Sequence, residues 1–114
     1  MATEVFKNGY LNVTNSAQTI YTAPTDAGDV AIVLSLRVTN VDGSADDTIT
    51  AEVIDQGGSL DAKIAHTITV PQDSSIELAG TSKLVLEAGD YIRLTGGAAS
   101  GDLEAFISVL QIEA

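Results

Sequence analysis

Alternation of apolar and polar residues runs along most of this chain. The longest alternating segment extends from Val30 to Val38, and its even positions are all large and aliphatic. A period of two is typical of a β-strand with one buried face. The segment is therefore predicted to be a central strand whose buried face consists of Val30, Ile32, Leu34, Leu36 and Val38.

Further short alternating runs follow at fairly regular spacing, and turn-forming residues separate them. An Asn8-Gly9 pair between the runs 3–7 and 10–14 predicts an opening hairpin, because this dipeptide suits a two-residue turn. Later runs predict strands at 18–22, 49–53, 62–70, 75–79, 82–86, 91–95 and 103–112. Gly89 is expected to supply a positive φ in the turn before Tyr91.

No window of the sequence shows apolar residues at a helical period. The predicted fold is therefore all-β without significant helix, an antiparallel β-sandwich of the jelly-roll or immunoglobulin-like kind. A chain of 114 residues is expected to form a single domain over residues 1–114.

The C-terminal run differs from the others because both of its faces are apolar. One face carries Leu103, Ala105, Ile107 and Val109, and the other carries Phe106, Leu110 and Ile112. Such a strand is expected to be covered on both sides, either within the domain or by a neighbouring subunit. Residues 1–14 are interpreted either as the ordinary first hairpin or as an attachment arm that adds strands to a partner. The candidates for partner contact are Val5, Phe6, Tyr10, Phe106, Leu110 and Ile112.

Charge and composition narrow the classes of partner. Sixteen acidic residues against five basic ones give a net charge of −11, which disfavours nucleic acid and anionic membrane surfaces. No apolar run is long enough to span a membrane, and the N-terminus lacks the pattern of a secretory signal. We expect a soluble product of the cytoplasm that is carried elsewhere within an assembly. The absence of cysteine excludes disulfides.

No group of residues has the spacing of a catalytic, cofactor or metal site, and no cofactor is predicted. His66 is the single histidine, and its phase with Ile64 and Ile68 favours a semi-buried, hydrogen-bonded side chain. The aspartates between Asp42 and Asp47 are a candidate calcium loop, but their spacing does not match the known pattern. Solvated hairpin carboxylates are the preferred interpretation.

Three segments carry a family resemblance: Ala31 to Gly43, Lys83 to Thr95 and Leu103 to Ile112. They resemble the small β-rich virion structural proteins of tailed bacteriophages. The resemblance implies a protein of the phage particle without an enzymatic site, located in the virion after assembly.

The acidity and the two-faced last strand favour a capsid decoration or cement protein that binds the outer shell, as a homo-oligomer. The implied partners are capsid or other virion proteins, and neither nucleic acid nor membrane. Two alternatives remain: a head-to-tail or tail accessory protein, and a receptor- or glycan-binding β-sandwich. The glycan alternative would need exposed aromatic side chains near Tyr10, Tyr21 or Tyr91.

Overall fold

The computed structural model describes residues 3–59, 61–79 and 82–114. Within these ranges the chain forms strands and no helix, which confirms the predicted all-β class. The strands are β1 (Thr3–Val13), β2 (Gln18–Thr22), β3 (Val30–Asn40), β4 (Asp47–Ile54), β5 (Asp61–Val70), β6 (Ser75–Glu77), β7 (Leu84–Glu87), β8 (Tyr91–Gly96) and β9 (Leu103–Glu113). This part of the chain thus holds no helix that could cross a membrane.

The strands form two antiparallel sheets that pack face to face. Sheet A has the order β1-β9-β3, and the short strands β6 and β7 both pair with the far edge of β3. Sheet B has the order β2-β8-β4-β5. The pairing is nested, because β1 pairs with β9, β2 with β8, β3 with β7 and β4 with β5. This double Greek-key order is that of a jelly roll rather than an immunoglobulin domain.

The core lies between the inner faces of the two sheets. Each fully buried aliphatic side chain stabilises the fold by about 1.5 to 3 kcal/mol relative to exposure. The largest of these side chains are Leu36, Ile49, Leu86, Ile92, Leu94, Leu103, Ile107, Val13, Val33, Val38, Val70 and Val109.

Strand β3 contains a β-bulge that corrects the predicted buried face. Its register with β9 shifts between Val33 and Ser35, so one extra residue, Leu34, is inserted there. Before the bulge, the odd-numbered Ala31 and Val33 face the core, and after it Leu36 and Val38 do. The prediction was right for Leu36 and Val38. It was wrong for Val30, Ile32 and Leu34, which lie on the solvent side.

The predicted opening hairpin is also wrong. Residues Thr3–Val13 form one continuous strand, and each of them has a partner in β9, from Thr3 opposite Glu113 to Val13 opposite Leu103. Asn8 and Gly9 lie in the middle of this strand opposite Ser108 and Ile107. An extended partner strand with an apolar inner face therefore outweighs the local turn preference of the Asn-Gly pair.

Strand β5 is irregular, which overturns the interpretation of His66. Two register shifts interrupt its pairing with β4, and Thr67 has a φ of 50°. The alternation from Ile64 to Val70 is therefore broken, and His66 is exposed rather than semi-buried. The turn before β8 follows the prediction, since Gly89 has a φ of 79°.

Buried polar groups connect distant segments across the sandwich. The Tyr21 hydroxyl donates a hydrogen bond of 2.7 Å to Gln111 Oε1, and burial followed by the charge of Glu113 raises the pKa of Tyr21 to about 12. Asn40 Nδ2 donates to the carbonyl of Val70 at 3.0 Å. Asp29 Oδ1 accepts a hydrogen bond of 2.9 Å from the backbone of the last residue, which holds the end of the chain beside β3.

The bulge predicts that truncating Leu36 and truncating Leu34 lower the free energy of unfolding by different amounts. Leu36→Ala should lower the free energy of unfolding by about 2 to 5 kcal/mol, because it removes a fully buried side chain. Leu34→Ala should cost clearly less, since Leu34 lies on the outer face of the sheet. Urea unfolding of both variants measures the difference, and equal losses would show that the bulge is misplaced.

Candidate functional site

The solvent side of sheet A carries a continuous row of apolar side chains. Residues directly opposite each other in neighbouring strands lie on the same face. Phe6 lies opposite Leu110, Leu110 opposite Ile32, and Ile32 opposite Val85, so the row crosses four strands. Phe6 is 74% exposed and Val85 is 63% exposed. Nothing in the described chain therefore covers the ends of this row.

Further apolar side chains flank the row on the same face. Tyr10, which is 82% exposed, lies opposite Phe106, which is 47% exposed. Leu34 lies in a depression with Phe6, Asn8 and Ser108. We call this surface the outer apolar face, and it consists of Phe6, Tyr10, Val30, Ile32, Leu34, Val85, Phe106, Leu110 and Ile112.

Most charged residues of the outer side of sheet A lie toward the two ends of the outer apolar face. Asn8, Ser108 and Ser35 form an uncharged polar row beside the apolar row. Glu4 and Glu87 lie at one end of the face, and Arg37 and Glu104 lie at the other. Along the far edge of β3, Glu77 Oε1 accepts a hydrogen bond of 2.6 Å from the Ser35 hydroxyl, and Lys83 Nζ donates one of 3.1 Å to the carbonyl of Leu34. A neutral centre with aromatic side chains and a charged rim is typical of a protein-binding surface.

The structure brings together five of the six residues predicted for partner contact. Phe6, Tyr10, Phe106, Leu110 and Ile112 all lie on the outer apolar face. Val5 does not, because it lies opposite Gln111, whose buried side chain belongs to the inner face. Whether these residues contact a partner remains a prediction.

Strands β3 and β7 contribute side chains to the outer apolar face that the alternation pattern did not predict. Ile32 and Leu34 were predicted to be buried, and Val85 was assigned to no face. The available signal was the change of phase around Leu34. Before it an apolar residue, Val33, occupies an odd position, whereas after it the odd positions are the polar Ser35, Arg37 and Thr39.

A shallow groove lies at one end of the outer apolar face. It is lined by the aromatic rings of Tyr10 and Phe106 and by polar side chains that include Asn12, Arg37 and Glu104. Asn12 is held in place, since its Nδ2 donates a hydrogen bond of 2.7 Å to the carbonyl of Gly101. The groove thus combines aromatic surfaces with hydrogen-bonding groups.

The solvent side of sheet B has a contrasting, polar character. Its cross-strand pairs include Thr48 opposite Thr69 and Thr50 opposite Thr95. Near them, Glu52 lies between Lys63 and Arg93 of the two neighbouring strands. The outer face of this sheet therefore offers no apolar row comparable to that of sheet A.

Glu52 is the centre of an ion cluster. Its side chain is 8% exposed, and its carboxylate lies 3.0 Å from Lys63 Nζ and 3.3 Å from Arg93 Nε. Hydrogen bonding with the Asp61 side chain, and then with Lys63 and Arg93, lowers the pKa of Glu52 to about 2, although burial opposes this shift. The cluster pairs its own charges, so it is a structural feature of sheet B.

The candidate calcium loop uses its carboxylates to hold backbone groups. Asp42 Oδ1 accepts hydrogen bonds from the backbone and hydroxyl of Ser44, both at 2.8 Å. Asp47 Oδ1 accepts bonds from the backbone N–H groups of Thr48 at 2.7 Å and Gly97 at 3.0 Å. Within residues 3–59, 61–79 and 82–114, no group of three or more His, Asp or Glu residues is placed to hold a metal ion.

Three solved structures show the same fold at low sequence identity. A chain in the structure of infectious bursal disease virus strain Gx aligns with a TM-score of 0.57 and 8% identity, over 98% of this chain and 32% of that one. A chain in the acid-stable capsid of Helicobacter pylori bacteriophage KHP30 aligns with a TM-score of 0.53 and 10% identity, over 98% and 93%.

The third chain belongs to the Bacillus endospore appendages, described as a family of disulfide-linked pili. It aligns with a TM-score of 0.54 and 18% identity over all of this chain and 87% of that one. No protein-family model and no curated protein matches the sequence. The similarities show that the fold is shared with chains from virus particles and from a pilus.

The ion cluster predicts a pH dependence of stability. Because the pKa of Glu52 is lower in the folded chain, its contribution is present above the unfolded value of about 4.3 and is lost as pH falls toward 2. Glu52→Gln should therefore destabilise the protein by about 1 to 3 kcal/mol at pH 7 and flatten the stability profile below pH 5.

Urea unfolding at several pH values measures this effect. The matched control is Glu104→Gln, which removes an exposed carboxylate from sheet A and should change the profile little. An unchanged acid profile for Glu52→Gln would contradict the role of the cluster.

Proposed function

We propose that this protein is a non-enzymatic structural component of a bacteriophage virion. It acts as a decoration or cement protein that binds the outer shell of the capsid. The observation that carries this proposal is the row from Phe6 to Val85, which is apolar, exposed and free of charge across four strands. A soluble protein that leaves such a row uncovered gains stability when another protein covers it.

The comparison with phage KHP30 supports a role for the isolated domain. The mutual coverage of 98% and 93% means that the two chains have nearly the same length. A jelly roll of this size therefore occurs in a phage capsid structure without large additional domains. The resemblance of three segments to phage virion proteins agrees with this interpretation.

The distribution of charge supports binding in one orientation. The chain has a net charge of −11, yet the row from Phe6 to Val85 contains no charged residue. Docking through this face leaves the polar outer surface of sheet B in solvent, where water hydrates its threonines and paired ions. Sheet A is therefore the face directed at the shell.

The groove beside Tyr10 favours one second candidate, a glycan- or receptor-binding module. Aromatic rings next to hydrogen-bonding groups are a common arrangement for binding sugar rings. Tyr21, by contrast, is half-buried, and its hydroxyl is bonded to Gln111. Glycan-array binding that is lost in Tyr10→Ala and Phe106→Ala would favour this candidate over decoration.

Val85→Asp tests the decoration proposal on particles of the phage that encodes the chain. Particles produced without the chain are incubated with purified wild type or variant, and bound protein is measured after sedimentation. A charge within an apolar contact is costly to desolvate, so Val85→Asp, which adds one to the exposed end of the row, should weaken binding at least about tenfold.

Thr69→Asp is the matched control, because it adds the same charge to an exposed strand position on the outer face of sheet B. It should bind like wild type. If the wild-type protein is absent from native particles and does not bind the depleted ones, the proposal is wrong. If both variants bind like wild type, the outer apolar face is not the contact surface.

A further inference from the structure

The edges of the two sheets differ in how well they can accept another strand. Strand β5 has two register shifts, and β2 has five residues and one shift. The far edge of β3 is divided between β6 and β7, which have three and four residues. Bulges and short strands of this kind prevent pairing between molecules. Three of the four edges in the described structure are thus poor templates.

Strand β1 is the fourth edge, and it lacks these protections. It has eleven residues, contains no proline, and keeps an unshifted register with β9 from Thr3 to Val13. Its charged residues are Glu4 and Lys7, so the strand is neutral within a chain of net charge −11. A long, regular and neutral edge is a template for pairing with another strand.

The sequence of β1 indicates which strand it pairs with. From either end toward Asn8, the first four positions present the same classes of side chain: β-branched, polar, aliphatic and aromatic. They are Thr3, Glu4, Val5 and Phe6 from one end, and Val13, Asn12, Leu11 and Tyr10 from the other. An antiparallel pair of identical strands centred on Asn8 brings each class opposite itself.

We propose that β1 pairs antiparallel with β1 of a second copy of this chain, around a two-fold axis through Asn8. All eleven residues then have a partner, with Phe6 of one copy opposite Tyr10 of the other. Aromatic pairs across neighbouring strands are favourable, and no two like charges lie opposite each other in this register. The occupant of the edge is therefore the protein itself.

The symmetry also determines what happens to the faces of the sheet. A two-fold axis perpendicular to the sheet reverses the strand direction and keeps each face on its own side. Sheet A continues from one copy into the next, and the two outer apolar faces join across the Phe6–Tyr10 pairs. The pairing goes beyond the proposed function, because it concerns the free protein and requires no shell.

Thiol crosslinking tests the register, because the chain has no cysteine of its own. Asn8→Cys should form a covalent dimer with a short bis-maleimide reagent, since the two introduced thiols lie opposite each other across the axis. Phe6→Cys should not link to itself, because the two copies of that position are offset by four residues, roughly 14 Å. A mixture of Phe6→Cys and Tyr10→Cys chains should give a linked heterodimer.

The Thr69→Cys variant serves as the control, because it places an exposed thiol on the bulged edge strand β5, away from β1, and should give no covalent dimer. Self-linking of Phe6→Cys in preference to Asn8→Cys would overturn the proposed register. Absence of any linked dimer from Asn8→Cys and from the mixture, in chains with the circular dichroism of wild type, would overturn the pairing itself.

Sedimentation equilibrium gives a second measurement without crosslinking. Asn8→Asp places two like charges together at the axis and should shift the protein from dimer toward the 11.7 kDa monomer. Asn15→Asp adds the same charge in the exposed turn after β1 and should leave the dimer intact. A monomeric wild type at high protein concentration would overturn the proposal. Binding of the protein to the shell is measured separately with Val85→Asp, because Val85 lies on β7, on the opposite side of sheet A from β1.

Discussion

The structure depends on one constraint: a two-layer sandwich can cover only one face of each strand. Strand β9 is apolar on both faces and lies in the interior of sheet A, paired with β1 on one side and β3 on the other. Its inner face, including Leu103, Ile107 and Val109, is fully buried in the core. Phe106, Leu110 and Ile112 are left on the other side with no third layer above them. The apolar character of the outer face of sheet A therefore follows from the two-layer architecture.

The two sheets satisfy this constraint in opposite ways. The solvent side of sheet B carries threonines and an ion cluster around Glu52, so it presents polar groups to water. Sheet A exposes aromatic and aliphatic side chains, and the charged residues of that face lie at its ends and along the far edge of β3. The two outer faces of the domain therefore differ in polarity: that of sheet A is largely apolar, and that of sheet B is polar. The excess of acidic residues is distributed so that the row from Phe6 to Val85 contains none of them.

Alternation in the sequence was sufficient to locate the strands but not to orient all of them. The two faces of β9 follow from strict alternation, and the structure agrees with them residue by residue. In β3 the alternation gave the wrong buried face up to Leu34, because the bulge shifts the phase of the strand by one residue. The core-facing residues on both sides of the bulge are aliphatic, so the shift is hard to recognise from composition. In β1 the Asn8-Gly9 pair indicated a turn, but pairing with β9 along its full length keeps the strand extended. Register and bulges depend on contacts between distant strands, which local patterns do not contain.

The bulge in β3 has a consequence for how such a surface arises. Without Leu34, the strand alternates without interruption, with Ala31, Val33, Leu36 and Val38 facing inward and the residues between them facing outward. The bulge residue Leu34 thus adds one outward side chain and leaves the inward direction of the core residues of β3 unchanged. A single-residue insertion at such a point can therefore change the outer apolar face without altering the packing of the core.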